Sequence, residues 1–281
     1  MEPGKYATNW RTDVQCSGGF IAETRSFIRG IIIDAFAIAS NAQEEYFLKC
    51  LFCHHVYDDQ RDDFLRLVLR LNELGQFINT DTCVQMLKGE RVIDGQYFHL
   101  SFDDGFKNLF SNAFSILKKL NIPATFFVPT AVIGANWEKT KQYCEQSLGC
   151  SAVSEMLSWS DIKEMASTGY EIGSHTRTHA RLKEISYDLS LLEDEIAESK
   201  YEIEKHIETK CNFISWPYGR RSDVDDEALK MIRKAGYRAC FGGYRGTVIP
   251  QQTDIFRIPR HHFEVHWPLA HVMYFVAGKK T

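Results

Sequence analysis

Two carboxylates stand side by side at Asp103 and Asp104, in the run Ser101-Phe102-Asp103-Asp104-Gly105. The run closes an apolar strand pattern, and Gly105 permits a sharp exit. Adjacent strand residues point apart, so neighbouring carboxylates can share one site only where the strand is ending. One of them can then bind a metal while the other faces a water held beside it. Asp is also a favoured helix cap, and taken alone the run reads equally well as a cap for a helix starting at Phe106. A second strand pattern leads into His175-Thr176-Arg177-Thr178-His179. Two imidazoles four residues apart can reach one metal from a single turn of chain. Two histidines and a carboxylate form a common ligand set for catalytic Zn²⁺ or a similar ion, with positions left open for water and substrate.

Three further runs also follow apolar stretches. In Ser215-Trp216-Pro217-Tyr218-Gly219, proline fixes the backbone and glycine allows a tight turn. Such a loop can aim a backbone N–H at a developing oxyanion, and since proline has none the candidate donor is Tyr218. In Cys53-His54-His55-Val56 a histidine can protonate a leaving amine. In Arg257-Ile258-Pro259-Arg260-His261-His262 either arginine can orient a carboxylate through its planar fork. Each of the three would be unremarkable alone.

Positioning such residues requires elements that end together. Strand patterns are read at 47–53, 97–103, 124–128, 170–174, 212–216, 237–241 and 255–259, and helical spacing at 61–74, 106–120, 158–168, 186–206 and 223–235. Strand and helix alternate, which argues for parallel strands joined by crossover helices. With about seven repeats and no Gly-x-Gly-x-x-Gly turn, an α/β barrel is expected rather than a dinucleotide-binding open sheet. All five runs then fall where strands end and loops begin, the face on which barrels carry their chemistry. Residues 134–157 read as a long loop forming part of a substrate rim.

Composition sets the outer bounds. The chain has 281 residues, 44% hydrophobic and 25% charged, the balance of an ordinary folded protein with a sizeable core. A net charge of -4 without a dense basic run argues against a nucleic-acid partner. Eight cysteines are scattered along the chain; Cys50 and Cys53 form a C-x-x-C pair, but within a strand pattern, and buried reduced thiols are expected. No basic start followed by an apolar core opens the chain, and the apolar stretch 28–39 is interrupted by Arg29 and Asp34 and is too short for a membrane span. It reads as a helix that packs on the core, or docks at a membrane surface or on a partner. The expectation is a cytoplasmic protein, at most peripheral to the membrane, with residues 1–45 as an N-terminal extension packing on a single domain at 46–281.

Together these runs resemble the polysaccharide deacetylases (carbohydrate esterase family 4, the NodB-homology domain). Ser101-Phe102-Asp103-Asp104-Gly105 is similar to the family's T-F-D-D-G, His175 to His179 matches H-[ST]-x-x-H, and Pro123-Ala124-Thr125-Phe126-Phe127-Val128 looks like its P-A-T-F-F strand. Glu195-Ile196 and Ser199-Lys200 add a weaker signal. The resemblance covers about residues 47–262. It implies a distorted (β/α)7-type barrel, a catalytic base at Asp103 and a metal on Asp104, His175 and His179. That ion would be divalent: Zn²⁺ first, Co²⁺ or Ni²⁺ as alternatives. The substrate implied is an N-acetylated sugar. Members often carry arginine where this chain has Ser215. The resemblance to a subgroup acting on biofilm poly-N-acetylglucosamine, with its histidine ahead of the Asp-Asp run, makes His54 the candidate general acid and His55 the second. Arg260, ahead of Arg257, would then supply the missing positive charge. Relatives that hydrolyse a cyclic amide or imide, or that bind carbohydrate without catalysis, are the alternatives. The sequence sets neither the sugar nor the oligomeric state.

Overall fold

The structure, a computed structural model, describes residues 4–15 and 46–276. The 28–39 stretch and Cys16 therefore lie outside the described residues. The apolar run at 47–53 forms β1 (Phe47–Cys53), buried along its whole length as a strand covered on both faces must be. It is followed by β2 (Gln76–Ile78), β3 (Gln96–Phe102), β4 (Thr125–Val128), β5 (Glu171–Ser174), β6 (Phe213–Ser215), β7 (Ala239–Phe241) and β8 (His261–His262). Every strand pairing is parallel, in the order β7-β6-β5-β4-β3-β1-β8, and β2 pairs the first part of β3.

Closure comes from the last segment. Ile258 bridges Phe241 in parallel, Gly242 N–H donates to the Ile258 carbonyl, and β8 then pairs with β1. A regular strand at 255–259 is not found. Pro259 has no N–H for a ladder, and Arg260 N–H turns to the Tyr244 carbonyl, so pairing resumes only at His261.

Helices cover the barrel: α1 (Arg61–Leu74), α2 (Thr80–Lys88), α3 (Ser115–Leu120), α4 (Trp137–Gln142), α5 (Trp159–Ser167), α6 (Leu182–Ile185), α7 (Leu189–Glu193), α8 (Ser199–Ile207), α9 (Asp226–Lys234) and α10 (Leu269–Val276). In α1, Phe64, Leu67, Val68 and Leu71 are buried at three-and-four spacing. Each such side chain contributes about 1.5–3 kcal/mol by leaving water. Two of the expected helices are modified. The one at 106–120 begins later, because Phe106 bridges Met156 and Lys107 N–H donates to the Glu155 carbonyl; a wider π-type turn, Leu109–Phe114, then leads into α3. The one at 186–206 starts at Leu189 and runs helical to Ile207, with a wider stretch inside it. Asp188 accepts from the N–H groups of Ser190 and Leu191 and so starts α7, and a π-type turn, Asp194–Glu198, joins α7 to α8. The 134–157 segment is not a bare loop, since it contains α4 and the turn Tyr143–Ser147.

The core has two shells. One lies between strands and outer helices and includes Phe64, Leu71, Phe102, Phe126, Ile162 and Trp216. The other fills the barrel interior with Leu48, Cys50, Tyr97, Phe127, Phe213 and Phe241, and receives Cys83, Val84, Met86 and Leu87 of α2. α2 thereby plugs the end of the barrel where strands begin, leaving the opposite end open. Cys50 and Cys53 fall in different shells; Cys50 Sγ faces Cys83 Sγ at 3.7 Å, and the seven described cysteines are free thiols. Residues 4–15 lie along the open end. The N–H groups of Trp10 and Arg11 donate to the Asp59 carboxylate, and the Trp10 ring stacks on His266 at 4.1 Å. Among the described residues no helix is long and apolar enough to cross a membrane.

Candidate active site

The open end of the barrel holds a cavity of about 400 Å³ lined by residues from five strand ends, among them His54, Asp103, Asp104, His175, His179, Tyr218 and Arg260. All seven residues singled out from sequence therefore reach one cavity. Their backbones are unusual. Asp104, Thr176, His179 and Tyr218 all have φ between 62° and 70°. Non-glycine residues adopt this region at a cost, and such positions cluster where geometry serves function.

Asp104 Oδ1 lies 3.4 Å from His175 Nε2 and 3.4 Å from His179 Nε2. Ligands bonded tetrahedrally at Zn²⁺–N and Zn²⁺–O lengths stand about 3.4 Å apart. Oδ1 is buried and has no hydrogen-bond partner, which a buried carboxylate oxygen rarely tolerates without an ion. His175 Nδ1 meets the Ser215 carbonyl at 2.8 Å. A proton on Nδ1 makes that bond and leaves the Nε2 lone pair facing Asp104. The donor set thus fits a divalent ion. Burial pushes the Asp104 carboxyl up, but the imidazoles of His175 and His179 beside it outweigh this and hold the group well below the usual carboxylate range.

The histidine turn is fastened from behind. Glu195, in the π-type turn before α8, accepts from the N–H groups of Arg177 and Thr178 and from the Thr178 hydroxyl. The N–H groups of Thr130 and Ala131 donate to carbonyls of the same turn. These bonds fasten the backbone of the turn that carries the two imidazoles.

Asp103 faces a different partner. Arg260 donates from Nη1 to Oδ1 at 2.8 Å and from Nη2 to Oδ2 at 2.7 Å. It also donates to the Ser101 hydroxyl, the Ser215 hydroxyl and the Gly242 carbonyl. All five guanidinium donors are therefore used, as a fully buried charge requires. Burial raises the Asp103 pKa; the Arg260 charge, with help from His175 and His54, more than reverses this and keeps it below the ordinary value. Arg257 points elsewhere and pairs with Asp226.

Tyr218 sits in the turn after β6. Among the described residues its N–H makes no hydrogen bond within the protein. Its hydroxyl donates to the Ser147 carbonyl, and its ring lies under Arg181 and beside His179. The neighbouring Gly219 has φ 75°, and an added Cβ would stand 2.5 Å from the Gly243 backbone.

A family profile for polysaccharide deacetylase matches residues 92–240, more than half of the chain. The chain belongs to the polysaccharide deacetylase family. It is 29% identical over 171 residues to the poly-β-1,6-N-acetyl-D-glucosamine N-deacetylase of Staphylococcus aureus strain N315, covering 57% of this chain and 52% of that one. It is 28% identical over 169 residues to the Staphylococcus epidermidis enzyme of the same name, with the same coverage. The chain thus spans about half the length of these relatives. In fold it matches IcaB from Ammonifex degensii with a TM-score of 0.65 at 22% identity, over 83% of this chain and 98% of that one. It matches the Streptococcus pyogenes deacetylase PplD with 0.64 at 18%, over 84% and 99%. The barrel is therefore the distorted (β/α)7 type of this family.

In this polysaccharide deacetylase Ser215 itself brings no positive charge to Asp103. Here the guanidinium arrives from Arg260, across the barrel closure, and Ser215 serves as its acceptor. On the opposite wall, His54 Nδ1 stands 3.8 Å from Glu264 Oε1. Burial lowers the His54 pKa, but the nearby Glu264 carboxylate and the charges of Asp104 and Asp103 outweigh it and raise it to about 9. His55 is stacked between Tyr57 and Phe106, and burial pushes it down to about 4. Of the two, His54 is the one held toward the doubly protonated, cationic form. Glu264 and His262, 2.8 Å apart, were not singled out as site residues from the sequence. The available signal was their place just past the last strand pattern, two and four residues after Arg260.

Proposed function

We propose that the protein removes the N-acetyl group from an amino sugar of a surface glycan or its precursor. The reading rests on one arrangement: the ionised Asp103–Arg260 pair and the Asp104–His175–His179 cluster open into the same cavity. A divalent ion on the cluster, Zn²⁺ in the first instance, would acidify a water and polarise the acetamide carbonyl. Asp103 accepts the proton of the attacking water. Oδ2 accepts from both Arg260 and the Ser215 hydroxyl, whereas Oδ1 accepts from Arg260 alone and keeps a lone pair for that proton. Arg260 keeps the base ionised and fixes its direction. The Tyr218 N–H donates to the oxyanion that forms at the carbonyl oxygen. His54, protonated and held against Glu264, delivers its proton to the departing amine. Acetate and the free amino sugar leave. A binding module without catalysis would have no use for an ionised carboxylate oriented by a buried arginine.

The names of the staphylococcal relatives support a β-1,6-linked N-acetylglucosamine substrate. The test is acetate release from a panel of N-acetylated sugars: free, oligomeric, and linked to lipid or nucleotide. Release from β-1,6-linked oligomers above the others supports a polymer substrate; release from linked monomers supports a precursor. Turnover of a cyclic imide without acetate release from any member would replace the reading.

A further inference from the structure

We propose a second divalent-metal site, made by His54, His262 and Glu264 on the cavity wall, which takes Zn²⁺ more weakly than the Asp104 cluster. One donor atom from each of the three lies within 4.8 Å of the other two. Two imidazoles and a carboxylate are the ligand types of borderline divalent ions, and a three-ligand set of this kind leaves an open position for water.

The backbone brings them together rigidly. β8 pairs with β1 so that Phe52 and His262 are partners, and Phe263 N–H donates to the Phe52 carbonyl. His54 therefore follows one strand and Glu264 the neighbouring one. The two rings meet edge to face at 5.0 Å between centroids, and Trp267 supports His262 from behind. His262 Nε2 is buried and close to Glu264 Oε1, yet it is not aligned with it as a hydrogen bond. It is an unsatisfied donor atom facing a carboxylate. His54 Nδ1 is 3.8 Å from the same oxygen, too far for a hydrogen bond and near the spacing of two atoms sharing an ion. The side chains are 26–32% exposed, against 4–7% for the Asp104 cluster, so ions reach them from the cavity.

The weaker affinity follows from geometry. The donors here are partly exposed and unevenly spaced, at 3.8 and 2.8 Å from Glu264 Oε1, whereas those of the Asp104 cluster are buried and evenly spaced at 3.4 Å. Resting on the reading of His54 as general acid, occupation of this site removes the proton that the leaving amine requires. Excess Zn²⁺ should therefore inhibit the enzyme that a first equivalent activates.

Equilibrium dialysis of the full chain against increasing Zn²⁺ tests the site, with wild type, H262Q and D104N compared. Two ions per wild-type chain are expected, one tight and one weak. H262Q should keep only the tight ion, and D104N only the weak one. Activity should fall in excess Zn²⁺ for wild type and hold for H262Q. A wild type that saturates at one ion, or an H262Q protein that still takes two, overturns the proposal. Retention of the tight ion in D104N would instead contradict the Asp104 assignment and leave the second site standing.

Discussion

At the scale of single residues, the account turns on which charges are kept and by what. Asp103 is ionised because Arg260 is buried against it, and neither tolerates the loss of the other. Asp103→Asn should lower acetate release by at least about a hundredfold, the usual contribution of a general base. It should also leave a buried guanidinium short of its anion, destabilising the fold by about 3 kcal/mol. Metal content should be unchanged, because Asp104 and the two histidines remain; loss of metal in that variant would undo the division of roles. Kinetics against pH and denaturant unfolding measure both effects. His54 gives a signed pH dependence. An anion beside an imidazole raises its pKa, so the acid is protonated below about 9 and the rate should fall as pH rises through that value. Glu264→Gln removes the anion, and the alkaline limb should move to lower pH by roughly one unit or more. An unmoved limb would mean that another group supplies the proton.

At the scale of elements, the site depends on a wider turn within a helix that the sequence does not announce. Apolar spacing runs without interruption from Leu189 to Ile207, and from spacing alone one long helix is expected. The π-type turn Asp194–Glu198 brings Glu195 to the backbone of the histidine turn. Wider turns of this kind recur at functional sites. Glu195→Ala should weaken metal binding about 10–100-fold, the usual effect of removing a residue that holds the ligands in place. Competition with a coloured chelator reads this directly, and unchanged affinity would make Glu195 merely structural. The strand ends were legible because period-two and buried apolar runs stop at charged residues. β2 and α2 were not, because a three-residue strand and a nine-residue helix carry too little period. Their punctuation was present in the Asn79 cap and in Gly89, which ends α2 with φ 76°.

At the scale of the molecule, a ring of parallel strands converts five separate stretches of chain into one cavity. That step was legible as a whole, since each run follows a strand pattern and parallel strands all end on one side. What spacing could not supply was contact between the far ends of the chain. Arg260 meets Asp103 only because the 258–262 segment seals the barrel between β7 and β1. Glu264 gains its partners by the same closure. Stability and chemistry are separable in such a design, since the apolar shells lie below and around the cavity. Phe64→Ala, in the outer shell and outside the cavity lining, should cost about 3–5 kcal/mol of stability. The protein that remains folded should keep its metal and its specific activity; a proportionate loss of both per folded molecule would show that the outer shell also sets the site geometry.

The central claim is that Asp104, His175 and His179 hold an ion that Asp103 works beside to release acetate. Its most direct test is acetate release from β-1,6-linked N-acetylglucosamine oligomers by protein stripped with chelator and then given one equivalent of Zn²⁺ or Co²⁺. The account expects no release from the stripped protein, recovery on adding the ion, and no recovery in D104N under the same conditions. Equal release with and without the ion, or full recovery in D104N, would contradict it.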